Sequence, residues 1–144
     1  MKFLILLFFI HSPLIGHENI DLIDSEVVQE RMISMQKLNK LMSLANKKIK
    51  KSQLDDETVD IFSKIEHIFI DYPSLFPDDS FQGVTKASTD IIDNRDVFNA
   101  LANEHAINAG LAIESVKAED IDQLKIYFNK LYSSCKSCHS RFRN

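Results

Sequence analysis

The residues best suited to chemistry lie close to the C-terminus. Cys135 and Cys138 are three apart, with His139 directly after, in the run Cys135-Lys136-Ser137-Cys138-His139. On a helix this spacing sets two thiols at neighbouring positions of one face. Two such thiols can add across the two vinyl edges of one haem, and the adjacent imidazole can take the iron. C-x-x-C-H is the signature of c-type haem attachment. The blander readings are a disulfide beside an incidental histidine, or a redox dithiol pair. A zinc site fits poorly, since it normally needs four ligands and only His67 and His105 are spare, with no shared spacing.

The elements that must hold this group can be read from periodicity. From about Asp21 to Lys51, Ile23, Val27, Met35, Leu38, Met42, Ala45 and Ile49 recur at three- and four-residue steps, and Arg31 falls on the same stripe. Lys47, Lys48, Lys50 and Lys51 close the segment, where cations oppose the negative helix pole. A second segment, about Asp55 to Phe69, offers Ile61, Phe62, Ile65, Ile68 and Phe69, with Asp55-Asp56-Glu57 suited to a first turn. A long connection with Pro73 and Pro77 follows, and is expected to cross the bundle with a short helical turn near Thr85 to Ile92. Leu75, Phe76 and Phe81 would pin it to the core or to a ligand. The third segment, about Arg95 to Lys117, has the stripe Phe98, Leu101, His105, Ala109, Ala112 and Val116, and Gly110 reads either as permitting a close helix or haem contact or as a tolerated surface glycine. The fourth, about Glu119 to Phe142, carries Leu124, Phe128, Leu131, Cys135 and Phe142. Four long helices with almost no strand signal indicate an all-α fold, an antiparallel four-helix bundle with C-terminal covalent haem attachment.

The N-terminus reads as an export signal. Lys2 precedes the apolar run Phe3 to Ile10, too short to span a bilayer, which takes about 20 apolar residues. The competing reading is an apolar first helix or an uncleaved anchor. With residues 1–17 as the signal and 18–144 as one domain, the protein is expected in the periplasm. No later stretch is apolar enough for a transmembrane span. The 144 residues carry 17 basic and 21 acidic groups, a net charge of -4. That balance argues against nucleic acid, whose backbone calls for concentrated Lys and Arg.

The C-terminal Cys135-Lys136-Ser137-Cys138-His139-Ser140-Arg141-Phe142-Arg143 resembles the C-x-x-C-H-x-x-F-R ending of the class II c-type cytochromes, the cytochrome c′ type. Arg31 and Met35 match that family's first-helix R-x-x-x-M, Leu75-Phe76-Pro77 its L-F-P, Lys86-Ala87 a common K-A, and Phe98 an aromatic further on. Ile91-Ile92 departs from it where a tryptophan often stands; the chain has no Trp. The resemblance implies one haem c, covalent through Cys135 and Cys138, with His139 on the iron and helix one over the distal face. Met35 is then either the sixth iron ligand or an apolar lid over a five-coordinate iron. Met32 is the fallback ligand, and Arg31 is expected to pair with a haem propionate, which would account for a cation on the buried stripe. Arg143 is expected near the proximal histidine.

Two functions follow. With Met35 and His139 both bound, the protein is a one-electron carrier between redox partner proteins, without enzymatic turnover. With Met35 as a lid, it binds NO or CO. The family splits between monomers and homodimers, helices one and two often forming the contact, and Leu41, Leu44 and Phe62 do not decide between them.

Overall fold

The computed structural model describes residues 25–144; the proposed export signal and Ile23 lie outside them. Four long helices run α1 Glu26–Lys50, α2 Asp56–Asp71, α4 Arg95–Lys117 and α5 Ile121–Phe142, with a one-turn α3, Asp90–Asp93, between the second and third. No strand occurs among the described residues, only an isolated antiparallel bridge between Ala87 and Arg143. The four-helix bundle read from periodicity is the fold observed.

The helix boundaries follow from local chemistry. Asp55 caps α2 by accepting from the Thr58 amide at 2.9 Å, and Asp120 caps α5 by accepting from Asp122 and Gln123. α1 and α4 each end where the chain enters a left-handed residue, Ser52 (φ 50°) and Glu119 (φ 55°), whose amides bond back to Ile49 and Val116. Each turn sends the chain directly into the next helix. Lys48, in the last turn of α1, bridges both Asp55 and Glu57 at the start of α2.

α4 packs along α2 and α5, α1 packs mainly along α2, and α1 scarcely meets α4. The main core joins Leu38, Ala45, Ile49, Ile61, Phe62, Ile65, Phe69, Ala109, Ala112, Leu124 and Leu131, with Met35 and Met42 partly buried against it. Val28 is also buried, one position from the expected Val27, which is half-buried. A second, aromatic cluster of Phe76, Ile91, Phe98 and Phe142 lies at the end of the bundle that carries the long connection. Phe98 meets Phe76 and Phe142 edge-on, centroids 4.8 and 5.4 Å apart.

That connection is more ordered than a loop of its length needs to be. A 3₁₀ turn, Tyr72–Leu75, carries the chain off α2. The Phe142 carbonyl accepts from the Ser88 amide at 2.9 Å, and the Lys86 carbonyl from the Asn144 amide at 2.8 Å. The end of the cysteine-bearing helix is therefore tied to the 86–88 segment. Gly110 does meet a close neighbour. A Cβ there would stand 2.9 Å from Glu66 Oε1 of α2, the movable end of a side chain.

Candidate haem site

Cys135 and Cys138 lie on α5, both partly buried and both free thiols. Cys138 packs against the aromatic cluster, and Cys135 donates to the Leu131 carbonyl at 3.2 Å, one turn back. Burial pushes both thiols above their ordinary pKa, for Cys138 with help from neighbouring Cys135. They stand as neutral S–H groups, the form that adds to a vinyl group to give a thioether. His139 is exposed at its outer edge and its pKa is lowered, chiefly by desolvation and then by the charges of Arg143 and His105. A neutral imidazole keeps the lone pair that a metal requires.

Met35 lies on α1. Its side chain is partly buried against the main core, where it makes apolar contacts, and Met32 is likewise half-buried. Cys138 packs against the aromatic cluster and Met35 against the main core.

Arg31, one turn before Met35, is only 4% exposed. Its Nε donates to the Leu75 carbonyl at 2.6 Å and its Nη1 to the Ser80 carbonyl at 3.0 Å, while Nη2 donates to the Ser80 hydroxyl. The guanidinium lies over Phe76, 4.0 Å from the ring centroid, with Phe81 at 5.3 Å. Desolvation lowers its pKa. The geometry thus gives Arg31 a task beyond the propionate pairing expected from sequence: it clasps the long connection to α1.

Tyr72 lies near Cys138, Arg31 and Arg143, and burial raises its phenol pKa well above the ordinary value, with Cys138 adding to the rise. Sequence reasoning passed over Tyr72; its signal was an aromatic residue at a helix end directly before Pro73 in the L-F-P stretch. His105 is 2% exposed, stacked on Phe69 at 4.5 Å, with Nδ1 against the Leu101 carbonyl at 2.5 Å. Its Nε2 is buried with no hydrogen-bond partner. His67 is exposed, its Nδ1 against the Ser63 carbonyl, and takes no part in the site.

The donor set fits a covalently held haem: two neutral thiols on α5, an accessible imidazole beside them, and an aromatic cluster against which Cys138 packs. An unpartnered imidazole nitrogen is also buried in this region.

A family model described as cytochrome C′ matches residues 26–143. The chain belongs to the cytochrome c′ family. Solved structures agree on the fold. A cytochrome c′ described by an unusual ligand-controlled dimer dissociation is 17% identical, with a TM-score of 0.74 over 82% of this chain and 94% of that one. A mutant of the cytochrome c′ of Rhodopseudomonas palustris is 26% identical, TM-score 0.70, over 83% and 98%. A ferrous variant of the cytochrome c′ of Alcaligenes xylosoxidans with bound NO is 17% identical, TM-score 0.72, over 82% and 93%. Comparison with curated proteins gave no match.

Cytochromes c′ carry one covalent haem c, and the two cysteines near the C-terminus of this chain are consistent with it. No helix among the described residues is long and apolar enough to cross a membrane. Of the apolar positions considered for a dimer contact, Phe62 is wholly buried in the core, Leu41 is half-buried, and Leu44 of α1 is 45% exposed.

Proposed function

We propose that this cytochrome c′ is an exported protein that binds a diatomic gas, NO or CO, with Met35 acting as an apolar lid. The observation that carries the reading is the seat of Met35, whose side chain is partly buried against the apolar main core. Structural relatives with bound NO lend support, and favour this reading over the Met35-ligated electron carrier that the sequence placed first.

A haem held here would supply the iron that takes the gas. The protein's part is binding and exclusion. Cys135 and Cys138 would fix the macrocycle, and His139 would supply the proximal imidazole. Met35 and the neighbouring core would offer the gas apolar surface, which disfavours water and tolerates a small, weakly polar molecule. Tyr72 and Arg31, at the margin, hold the connection in place. Binding a gas in this way involves no turnover.

The test is the absorption spectrum of matured protein, with and without carbon monoxide, for the wild type and Met35→Ala. A broad high-spin spectrum that shifts with the gas, and stays high-spin with faster gas binding in Met35→Ala, is the expected outcome. A sharp low-spin spectrum indifferent to the gas, converted to high-spin by Met35→Ala, refutes the lid and restores the electron carrier.

A further inference from the structure

The charge of this chain is unevenly placed, and its excess cations gather on one helix. Residues 31–54 hold seven of the 17 basic residues and none of the 21 acidic ones, so the rest of the chain carries 10 against 21. Arg31 is buried, and Lys48 is held by Asp55 and Glu57, which leaves five lysines. Lys47, Lys50 and Lys51 stand at the end of α1, where the negative helix pole accounts for them. Lys37 and Lys40 are mid-helix, beyond the reach of that pole. Both are exposed, and among the described residues neither has a carboxylate partner. A merely solvated helix face interleaves its charges, as Lys64 with Asp60, Lys117 with Glu114 and Lys125 with Asp122 do on α2, α4 and α5.

These two lysines border a groove. Lys37, Lys40 and Leu41 of α1, with Lys64, His67 and Ile68 of α2, line a depression of about 570 Å³. Leu41 and Ile68 are half-buried against the main core and make its apolar floor, while the exposed lysines and His67 make its rim. On α1 the exposed row Ile33, Lys37, Lys40, Leu44 and Lys47 runs at alternating steps of four and three. That spacing keeps one helix face over about 21 Å. Such a pattern suits an anionic occupant that also brings an apolar side chain. A second copy fits poorly: in a two-fold dimer the same patch meets itself, which would set one lysine row against the other. A bilayer surface is flat and leaves the depression unfilled. A protein segment can send one apolar side chain to the floor while its carboxylates reach the rim.

We propose that the groove between α1 and α2 docks an acidic segment of another protein, with an apolar side chain seated on Leu41 and Ile68 and carboxylates paired with Lys37, Lys40 and Lys64. Ile33 and Leu44, 37% and 45% exposed, extend the contact along α1. Lys64 can leave Asp60 for the partner, since an exposed ion pair of this kind contributes little. Complementary charge of this sort serves encounter rate and register more than affinity, and salt screens it. The inference is independent of what the iron binds.

The test is titration of ¹⁵N-labelled, haem-loaded protein with a short synthetic peptide in which Glu and Asp flank one Leu. Ferrous protein under carbon monoxide is diamagnetic whether the gas or Met35 takes the sixth position, so amide shifts are readable in either case. Shifts should be confined to the stretches around residues 37–41 and 64–68 and should fade with added salt. Lys37→Glu combined with Lys40→Glu should weaken binding about tenfold. Lys117→Glu combined with Lys125→Glu makes the same change in net charge on other helices and should leave binding as it was. All four lysines are exposed, and an unaltered visible spectrum shows that each variant is folded and loaded. No shifts, or shifts spread over the lysines of every helix, would overturn the proposal, as would equal weakening by the two variants. Equal binding of a peptide with Gln and Asn in place of the acids would do the same. Shifts at these residues that grow with protein concentration alone would give the face to a second copy, and overturn the proposal. Sedimentation with phosphatidylglycerol vesicles, without any binding of the peptide, would overturn it in favour of a membrane surface.

Discussion

Replacing Arg31 with Met should destabilise the whole bundle, and the cost can be worked from its contacts. Met keeps an unbranched stem of similar reach but removes the bonds to the carbonyls of Leu75 and Ser80 and to the Ser80 hydroxyl. Hydrogen bonds involving a charged group contribute about 1.5–3 kcal/mol each. Three of them sharing one guanidinium are not additive, and relief from burying a charge offsets part of the loss. The cation–π contact with Phe76 at 4.0 Å adds about 1–2 kcal/mol when desolvated. A net loss of about 3–4 kcal/mol is expected, a fall in Tm of roughly 10–15 °C for a domain of this size. Arg31→Lys should recover less than half, because an ammonium cannot fan out to three acceptors held on two residues. The assay is urea unfolding of loaded protein followed by circular dichroism, with amide exchange across residues 76–81. A loss below about 1 kcal/mol, on the scale of an ordinary surface change, would refute the clasp. An equal loss with exchange in 76–81 unchanged would shift the role of Arg31 to a haem propionate.

Two more expectations can be checked simply. Cys135→Ala combined with Cys138→Ala should abolish haem that survives denaturing electrophoresis, and haem retained there would sink the attachment model. Asp55 is held down to about 2, from an ordinary 3.8, first by its bond from Lys48 and then by those from Thr58. Its folded pKa is depressed, so its contribution is present above pH 4 and is lost as pH falls towards 2. Asp55→Asn keeps a capping oxygen but should flatten that part of the acid unfolding profile; an unchanged slope between pH 4 and 2 would show that Asp55 is not responsible.

Much of this protein was determined by the sequence alone. The four helices follow from short-range periodicity, which each segment carries in itself: Ile61, Phe62, Ile65 and Phe69 are buried because they share one helical face. Cys135, Cys138 and His139 are legible for the same reason, since three consecutive contacts with one planar group come from five residues of one helix. Arg31 and Met35 could be named through their spacing and the family resemblance, but not given surroundings.

Their partners were a matter of tertiary structure. Arg31 finds its acceptors at Leu75 and Ser80, 44 and 49 residues away, and backbone carbonyls have no signature in a sequence. Tyr72 joins the site because a 3₁₀ turn swings it in beside Cys138. His105 looked like any polar residue on an apolar stripe. Only the fold, by stacking it on Phe69 and fixing its Nδ1 on Leu101, leaves its other nitrogen buried and unpartnered. Periodicity decides which face of a helix is buried; what that face meets depends on how helices distant in the chain are set against one another.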